Sequence, residues 1–401
     1  MSAPSPRRSV AITGMSALSP LGDSPEMVHD ALCAGRVAHR PAPELGGAAL
    51  ATLSEFDPER YARVRGMRMY NRTTRLAICA SKLALGDAGL DLASCPSEEL
   101  GLLMASTSGH LDVLVQYDRS LVTNGTQRTN GALMPLAIPS APGAIVALAC
   151  SAKAFVMTLS DGGTSSLDAL GLGARWVASG RARACVVVSA FSPSAEISRA
   201  IARSGALAPA GDVRPFDRGA SGAALGEGAV AFVLERTVDA ETRGARARAY
   251  VGGFGAAFSP AARWRAGLER ACRAALEAAH TSRAELSLVS AAASGRPALD
   301  RAEAAALSVI LGDHAAQVPV TAVQGALGDT FDAAGAAQTL LAIASIERRE
   351  APPIPGLEEP AVPGIRYLRR SEPLDGRSAL VTALAEDGSC SALVLLGGSE
   401  G

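Results

Sequence analysis

"TLSDGGTSSLDALGLGARWVASGRARACVVVSA", residues 158–190, runs from a helix straight into a strand, and that succession decides the fold class. Asp161, Gly162, Gly163 and Thr164 can start a helix; apolar residues then recur at helical spacing over 165–178, and Gly180 stops the run. "ACVVVSA" (184–190) is short, β-branched and continuously apolar, as expected of a buried strand. A helix start of this kind also has a chemical use. Its free N–H groups stabilise a thiolate or a developing oxyanion, so a Cys placed there would be a candidate acyl carrier. The residue there is Gly163, which has no group able to attack. Read locally, Gly163 is expected to serve a tight turn that needs a permissive φ.

The same alternation continues in both directions. Strands are expected at "SVAITG" (9–14), "LGLLMAS" (100–106), "ACVVVSA" (184–190), "AVAFVLE" (229–235), "ARAYVGGF" (247–254), "LSLVSAA" (286–292), "VPVTAV" (318–323) and "SALVLLG" (391–397). Helical patterns fall between them, at 73–87, 165–178, 261–279, 301–311 and 333–346. Such alternation implies a layered α/β fold. The polar segment "ERTVDAETRGARARAY" (235–250) lies near the middle and is expected to join two similar halves, 1–240 and 241–401.

Composition limits the functions open to such a chain. With 401 residues, 48% hydrophobic and 19% charged, it can bury a large core. The formal net charge is −1 and the basic residues are almost all Arg, Lys82 and Lys153 being the only lysines, so no global field favours nucleic acid or an anionic membrane. Seven scattered Cys, at 33, 79, 95, 150, 185, 272 and 390, form no C-x-x-C pair and read as buried reduced thiols. Arg7 and Arg8 have no apolar stretch behind them, and the apolar segment 141–159 is interrupted by Lys153. A cytoplasmic protein is therefore expected, with neither signal peptide nor membrane span. No phosphate loop, metal-ligand cluster or dinucleotide fingerprint stands out, so no metal and no dissociable cofactor is expected.

Longer stretches carry a resemblance. "VAITGMSALSPLGDSPE" (10–26) resembles the opening of the β-ketoacyl synthases of the thiolase superfamily, "NRTTRLAICASKLALGDAGL" (71–90) their helix before the second strand, and "PFDRGASGAALGEGAVAFVLE" (215–235) their P-F-D-x-x-x-x-G-x-x-x-G-E-G-x-x-x-x-V-L-E. The resemblance implies a thiolase fold, two similar α/β halves in five α-β-α-β-α layers. Carried over position by position, the family's nucleophilic Cys falls on Gly163 and the His of H-G-T-G-T-x-x-N-D-x-x-E on Ala292, with Asp300 and Glu303 retained. The Lys and His of K-S-x-x-G-H-x-x-G-A-A-G fall on Gln324 and Asp329 of "QGALGDTFDAAG" (324–335). All four catalytic positions are replaced. Decarboxylative condensation needs a thiolate to hold the acyl chain and imidazole donors to stabilise the enolate, and none of these four supplies either. The closing "LAEDGSCSALVLLG" (384–397) has Glu386 and Asp387 where the family has a G-F-G-G gating loop.

Within the superfamily the best match is the chain length factor, or ketosynthase β subunit, of type II polyketide synthases, on "GGTSSLDALGLGAR" (162–175), "LDRAEAAALSVILGD" (299–313) and the stretch 318–353. That resemblance implies a heterodimer with an active ketosynthase, phosphopantetheine delivered by an acyl carrier protein to the partner, and a tunnel whose wall limits chain length. The tunnel-lining helix would be "SGHLDVLVQYDRSLV" (108–122), with Leu111, Leu114 and Asp118 facing the tunnel and Arg72 and Arg75 at the subunit contact. Spacings of three and four residues put Leu111, Leu114 and Asp118 on one helical face. Core packing is the competing reading of the two leucines, and a solvated site beside Arg119 that of Asp118. Two alternatives differ in class: a stand-alone pseudoenzyme that binds acyl carrier protein, and an acyltransferase using Cys150 of "LACSAKA" (148–154), 13 positions before Gly163, with His110 the histidine able to approach.

Overall fold

Among the described residues eleven segments, most of them apolar, become strands of one mixed sheet: β1 (Val10–Leu18), β2 (Leu100–Ala105), β3 (Val156–Leu159), β4 (Ala184–Phe191), β5 (Gly228–Arg236), β6 (Ala249–Phe258), β7 (Leu288–Ser290), β8 (Pro319–Thr321), β9 (Arg366–Tyr367), β10 (Ser378–Leu384) and β11 (Ser389–Gly397). The structure is a computed structural model that describes residues 9–260 and 263–398; Arg7, Arg8 and Ala261 lie outside the described residues. The strand order is β9-β8-β7-β10-β11-β6-β1-β5-β4-β2-β3. From β1 outward, β5 is antiparallel to β1, β4 antiparallel to β5, and β2 and β3 follow in parallel. From β6 outward, β11 is antiparallel to β6, β10 antiparallel to β11, and β7 and β8 follow in parallel. Order and sense repeat strand for strand. The two runs meet where Ala11 and Ile12 pair with Tyr250 and Ala249.

Among the described residues eleven α-helices complete the fold: α1 (Pro25–Cys33), α2 (Arg72–Asp87), α3 (Leu111–Asn124), α4 (Ala141–Cys150), α5 (Ser165–Ala178), α6 (Ala195–Arg203), α7 (Thr237–Thr242), α8 (Trp264–Ala278), α9 (Pro297–Leu311), α10 (Gln324–Leu327) and α11 (Ala334–Arg348). Helices α5 and α11 pack on each other and on both strand runs, with Ile12, Leu170, Phe232, Leu340 and Leu393 among the residues buried there. Outside the first run α2 and α4 bury Leu76, Ile78, Leu102 and Val146; outside the second, α8 and α9 bury Leu268, Leu307, Val320 and Leu380. This is the α-β-α-β-α thiolase architecture. Strands covered on both faces have no polar side to present, which is why β2 and β4 are buried at every residue. The central helix lies tight on the second run because Gly171 lacks a Cβ. One built there would stand 2.3 Å from the Phe254 ring.

The expected strands and helices form, with shifted ends. Helix α9 begins at Pro297, four residues before the periodic pattern, because proline suits a first helical turn. The apolar stretch around Cys150 is helix α4, and the expectations above do not include β3, β9 or β10. The polar segment 235–250 carries α7 and leads from β5, in the first run, to β6, the start of the second.

Candidate active site

Gly163 lies in a one-turn 3₁₀ helix, Gly162–Thr164, that leads into α5. The expected strained turn is one residue earlier: Gly162 has φ 61°, whereas Gly163 is not among the residues with positive φ. The requirement for glycine at 163 is therefore not conformational. A Cβ there would first meet the Leu384 carbonyl at 3.4 Å and then Ala385 at 3.8 Å, both ordinary contacts. Gly162 donates to the Thr107 hydroxyl at 3.1 Å, and the Asp161 N–H donates to Ser165 at 2.8 Å. The site has room for a Cβ and holds none.

The other three replaced positions converge on the same region through hydrogen bonds. Ala292 donates its N–H to Glu303 at 2.8 Å, and Glu303 accepts from the Thr382 hydroxyl at 2.6 Å. Gln324 donates to Gln338 at 3.3 Å, and Gln338 donates to the carbonyls of Thr382 at 3.0 Å and Ser290 at 3.3 Å. Strand β10 thus ties Gln324 to Ala292, and its last residue, Leu384, lies against Gly163. Asp329 is buried and accepts from the Phe331 N–H at 2.9 Å and from the Arg296 guanidinium. Arg296 also donates to Ser294 at 3.2 Å and to Glu386 at 2.9 Å, and its guanidinium carbon lies 5.7 Å from the centre of the Phe331 ring. Asp329 is therefore held as one half of an ion pair. Both of its oxygens are engaged, one by the Phe331 N–H and one by Arg296.

Three buried carboxyls underlie this arrangement. Burial raises Asp300 to about 6, although the N–H groups of Phe216, Ser294 and Gly295 partly offset it. Burial likewise raises Glu303 to about 7, against the bonds from Thr382 and Ala292. Asp332 is pushed up to about 6 by burial; one oxygen accepts from the Thr107 N–H at 2.8 Å and the other has no hydrogen-bond partner among the described residues. Asp300 also holds Phe216 at φ 61°, which explains why the P-F-D loop and the retained Asp belong together.

Cys150 cannot replace the missing nucleophile. It lies at the end of α4, 4% exposed, and burial pushes its thiol up to about 11 despite the nearby charge of Lys82. His110 precedes α3, buried, with its pKa lowered by desolvation and Nδ1 unpartnered. Helix α3 has no buried residue: Leu111 and Leu114 are half-buried and Asp118 is exposed, with its neighbour Arg119 paired to Glu196 at 2.9 Å. Arg72 is engaged within its own chain, donating to Glu227 at 2.5 Å and 3.1 Å and to the Leu53 carbonyl. The buried Nε of Arg75 has no partner among the described residues.

The sequence reading missed Arg296 and Asp332. Both stand inside the quoted motifs, Arg296 opposite the second Thr of H-G-T-G-T and Asp332 opposite a Gly of K-S-x-x-G-H-x-x-G-A-A-G. The signal was a charged residue at a small-residue position.

Residues 7–240 match the family model for the β-ketoacyl synthase N-terminal domain and residues 249–358 that for its C-terminal domain. The chain is 30% identical to putative polyketide beta-ketoacyl synthase 1 of Streptomyces halstedii, over 97% of this chain and 98% of that one. It is 31% identical to putative polyketide beta-ketoacyl synthase 2 of the same organism, over 98% of each. A solved structure titled the ishigamide ketosynthase/chain length factor superposes with a TM-score of 0.89 at 26% identity, covering 98% of this chain and 100% of that one. Near-equal identity to both Streptomyces proteins leaves the division of labour to the site residues, but two domain models that together span most of the sequence make the chain a member of the β-ketoacyl synthase family.

Proposed function

We propose that this chain is a non-catalytic ketosynthase-like subunit, a chain length factor, that pairs with an active ketosynthase and shapes the tunnel limiting polyketide or polyene length. The observation that carries the reading is the joint state of the four positions. Gly163 offers no nucleophile although a Cβ would fit, Ala292 and Gln324 offer no imidazole or ammonium, and Asp329 is bound to Arg296. Condensation would then occur on the partner, which receives the phosphopantetheine thioester from an acyl carrier protein, and this chain would contribute a wall. A wall of packed side chains resists a further two-carbon unit by sterics, at roughly 1–3 kcal/mol for overpacking.

The surface supports pairing. Strand β3 is an edge of the sheet, with Val156 and Met157 exposed. On neighbouring elements Val122, Met134, Ile138 and Leu148 are exposed too, Val122 by 87% and Leu148 by 80%. An unpaired strand edge beside large exposed apolar groups is a surface made to be covered. The test is expression with and without a Cys-bearing ketosynthase from the same gene neighbourhood. Co-purification as a one-to-one complex, with poor recovery of the chain alone, is expected. A well-behaved monomer that ignores every ketosynthase but retains acyl carrier protein would replace this reading with a stand-alone binding role.

A further inference from the structure

His110 is a buried polar side chain to which the proposed function gives no task. Thr107, three residues before it, accepts from the Gly162 N–H at 3.1 Å and so touches the turn that holds Gly163. The His110 carbonyl accepts from the Leu114 N–H at 3.0 Å, and the His110 backbone is itself helical, at φ −105° and ψ −12°. Side chains four apart on a helix share a face, so His110 stands on the Leu114 face of α3, between Leu114 and the Gly163 turn along the chain. Its side chain is 7% exposed, and desolvation lowers its pKa, so the ring is neutral near neutral pH and carries one proton. Nδ1 is sealed from solvent and meets no hydrogen-bond partner among the described residues, whereas Nε2 is not sealed in this way. A buried N–H without a partner is costlier than a bare lone pair, which assigns the proton to Nε2. Asp112, whose charge acts on the ring, accepts instead from Asn71 at 2.6 Å and from the Val113 N–H at 2.9 Å.

We propose that His110 is a specificity residue of the tunnel: its Nε2–H donates to a carbonyl or hydroxyl oxygen of the growing chain, so that the pair elongates chains that keep oxygen along their length and disfavours chains stripped of it. The assignment rests on the reading of this chain as the wall of a shared tunnel along α3. Leu111 and Leu114 offer apolar contact to any chain of the right width, whereas one donor beside them separates chains by their chemistry. A hydrocarbon lying there would displace the water that otherwise meets Nε2 and leave the donor bare. An oxygen of the chain takes that water's place.

The co-purified pair is given acyl carrier protein loaded with hexanoyl, β-oxohexanoyl or δ-oxohexanoyl chains, together with malonyl-loaded carrier protein, and the first extension is timed by mass spectrometry. Wild type should extend the better of the two oxo chains about tenfold faster, in kcat/KM, than hexanoyl, as expected when one buried donor is satisfied or left bare. His110→Leu removes the donor and should abolish that preference, while His110→Gln, which keeps an N–H donor, should restore most of it. A merely structural role would slow all three chains together and leave their ratio unchanged. Equal handling of the three chains by wild type, or a preference that survives in His110→Leu, would overturn the assignment. Pairing is read separately: if the chain and a ketosynthase do not co-purify, the shared tunnel falls and this assignment with it, whereas a pair that forms and extends all three chains alike removes His110 alone.

Discussion

Gly163 and Glu303 represent two kinds of residue at the candidate site, one with no side chain to react and one whose carboxyl holds neighbouring groups in place. Glu303 sits beneath Ala292, where the retained acid of the family motif now supports a backbone N–H. Its folded pKa, near 7, lies above its ordinary value of 4.5, so between those pH values the folded chain binds more protons than the unfolded one. The stability this group contributes is therefore fully present below about pH 4.5 and is lost as pH rises through about 7. Glu303→Gln should flatten that part of the curve. The stability difference between wild type and variant, from urea unfolding across the window, is expected to change on the order of 3 kcal/mol, at 1.36 kcal/mol per pKa unit; a difference independent of pH would mean that Glu303 does not titrate in the fold. The retained Asp300 and Glu303 were legible in the sequence by spacing to a motif. Arg296 was not, because its role depends on Asp329 and Glu386, 33 and 90 positions away, meeting it in space.

Helix α3 shows what a single chain leaves unfinished. A 14-residue helix with Leu111, Leu114, Val115 and Val122 but no buried residue lacks the contacts that normally stabilise an amphipathic helix. On the proposed function that face is completed by the ketosynthase, and Leu111 and Leu114 line the tunnel. Leu111→Trp or Leu114→Trp should then shorten the product of the reconstituted pair by at least one two-carbon unit, read by mass spectrometry. An unchanged product distribution would remove both from the tunnel. Helices and strands were the most legible level, since β4 and α5 follow directly from continuous and periodic apolar patterns. Strands β7 and β8 were legible but pair over only part of the apolar runs 286–292 and 318–323, whereas the two-residue β9 is held by its neighbour β8 and is not marked by composition. The helix begins at Ser165, as its apolar period has it, and the turn before it closes as a 3₁₀ helix around Gly162.

At the scale of the whole molecule, two strand runs with the same order and sense face each other across α5 and α11, and the site forms where the ends of both runs meet. The alternation of elements predicted the α/β class, but the pairing of the runs comes from contacts between residues far apart, such as Ile12 with Ala249. An architecture of this kind places a nucleophile from the first run among donors from the second. Here the first run brings Gly163 and the second brings Ala292, Gln324 and Asp329, with the framework around them intact. The central claim is that this chain lends shape while another polypeptide carries the acyl group. The most direct measurement is to incubate the chain, paired with a ketosynthase, with acyl carrier protein loaded with malonyl labelled at its methylene carbon, remove the carrier protein, and map the covalent label on the two subunits. Of the label left on the pair, all is expected on the ketosynthase; a covalent acyl group on this chain, at Cys150 or elsewhere, would contradict the account.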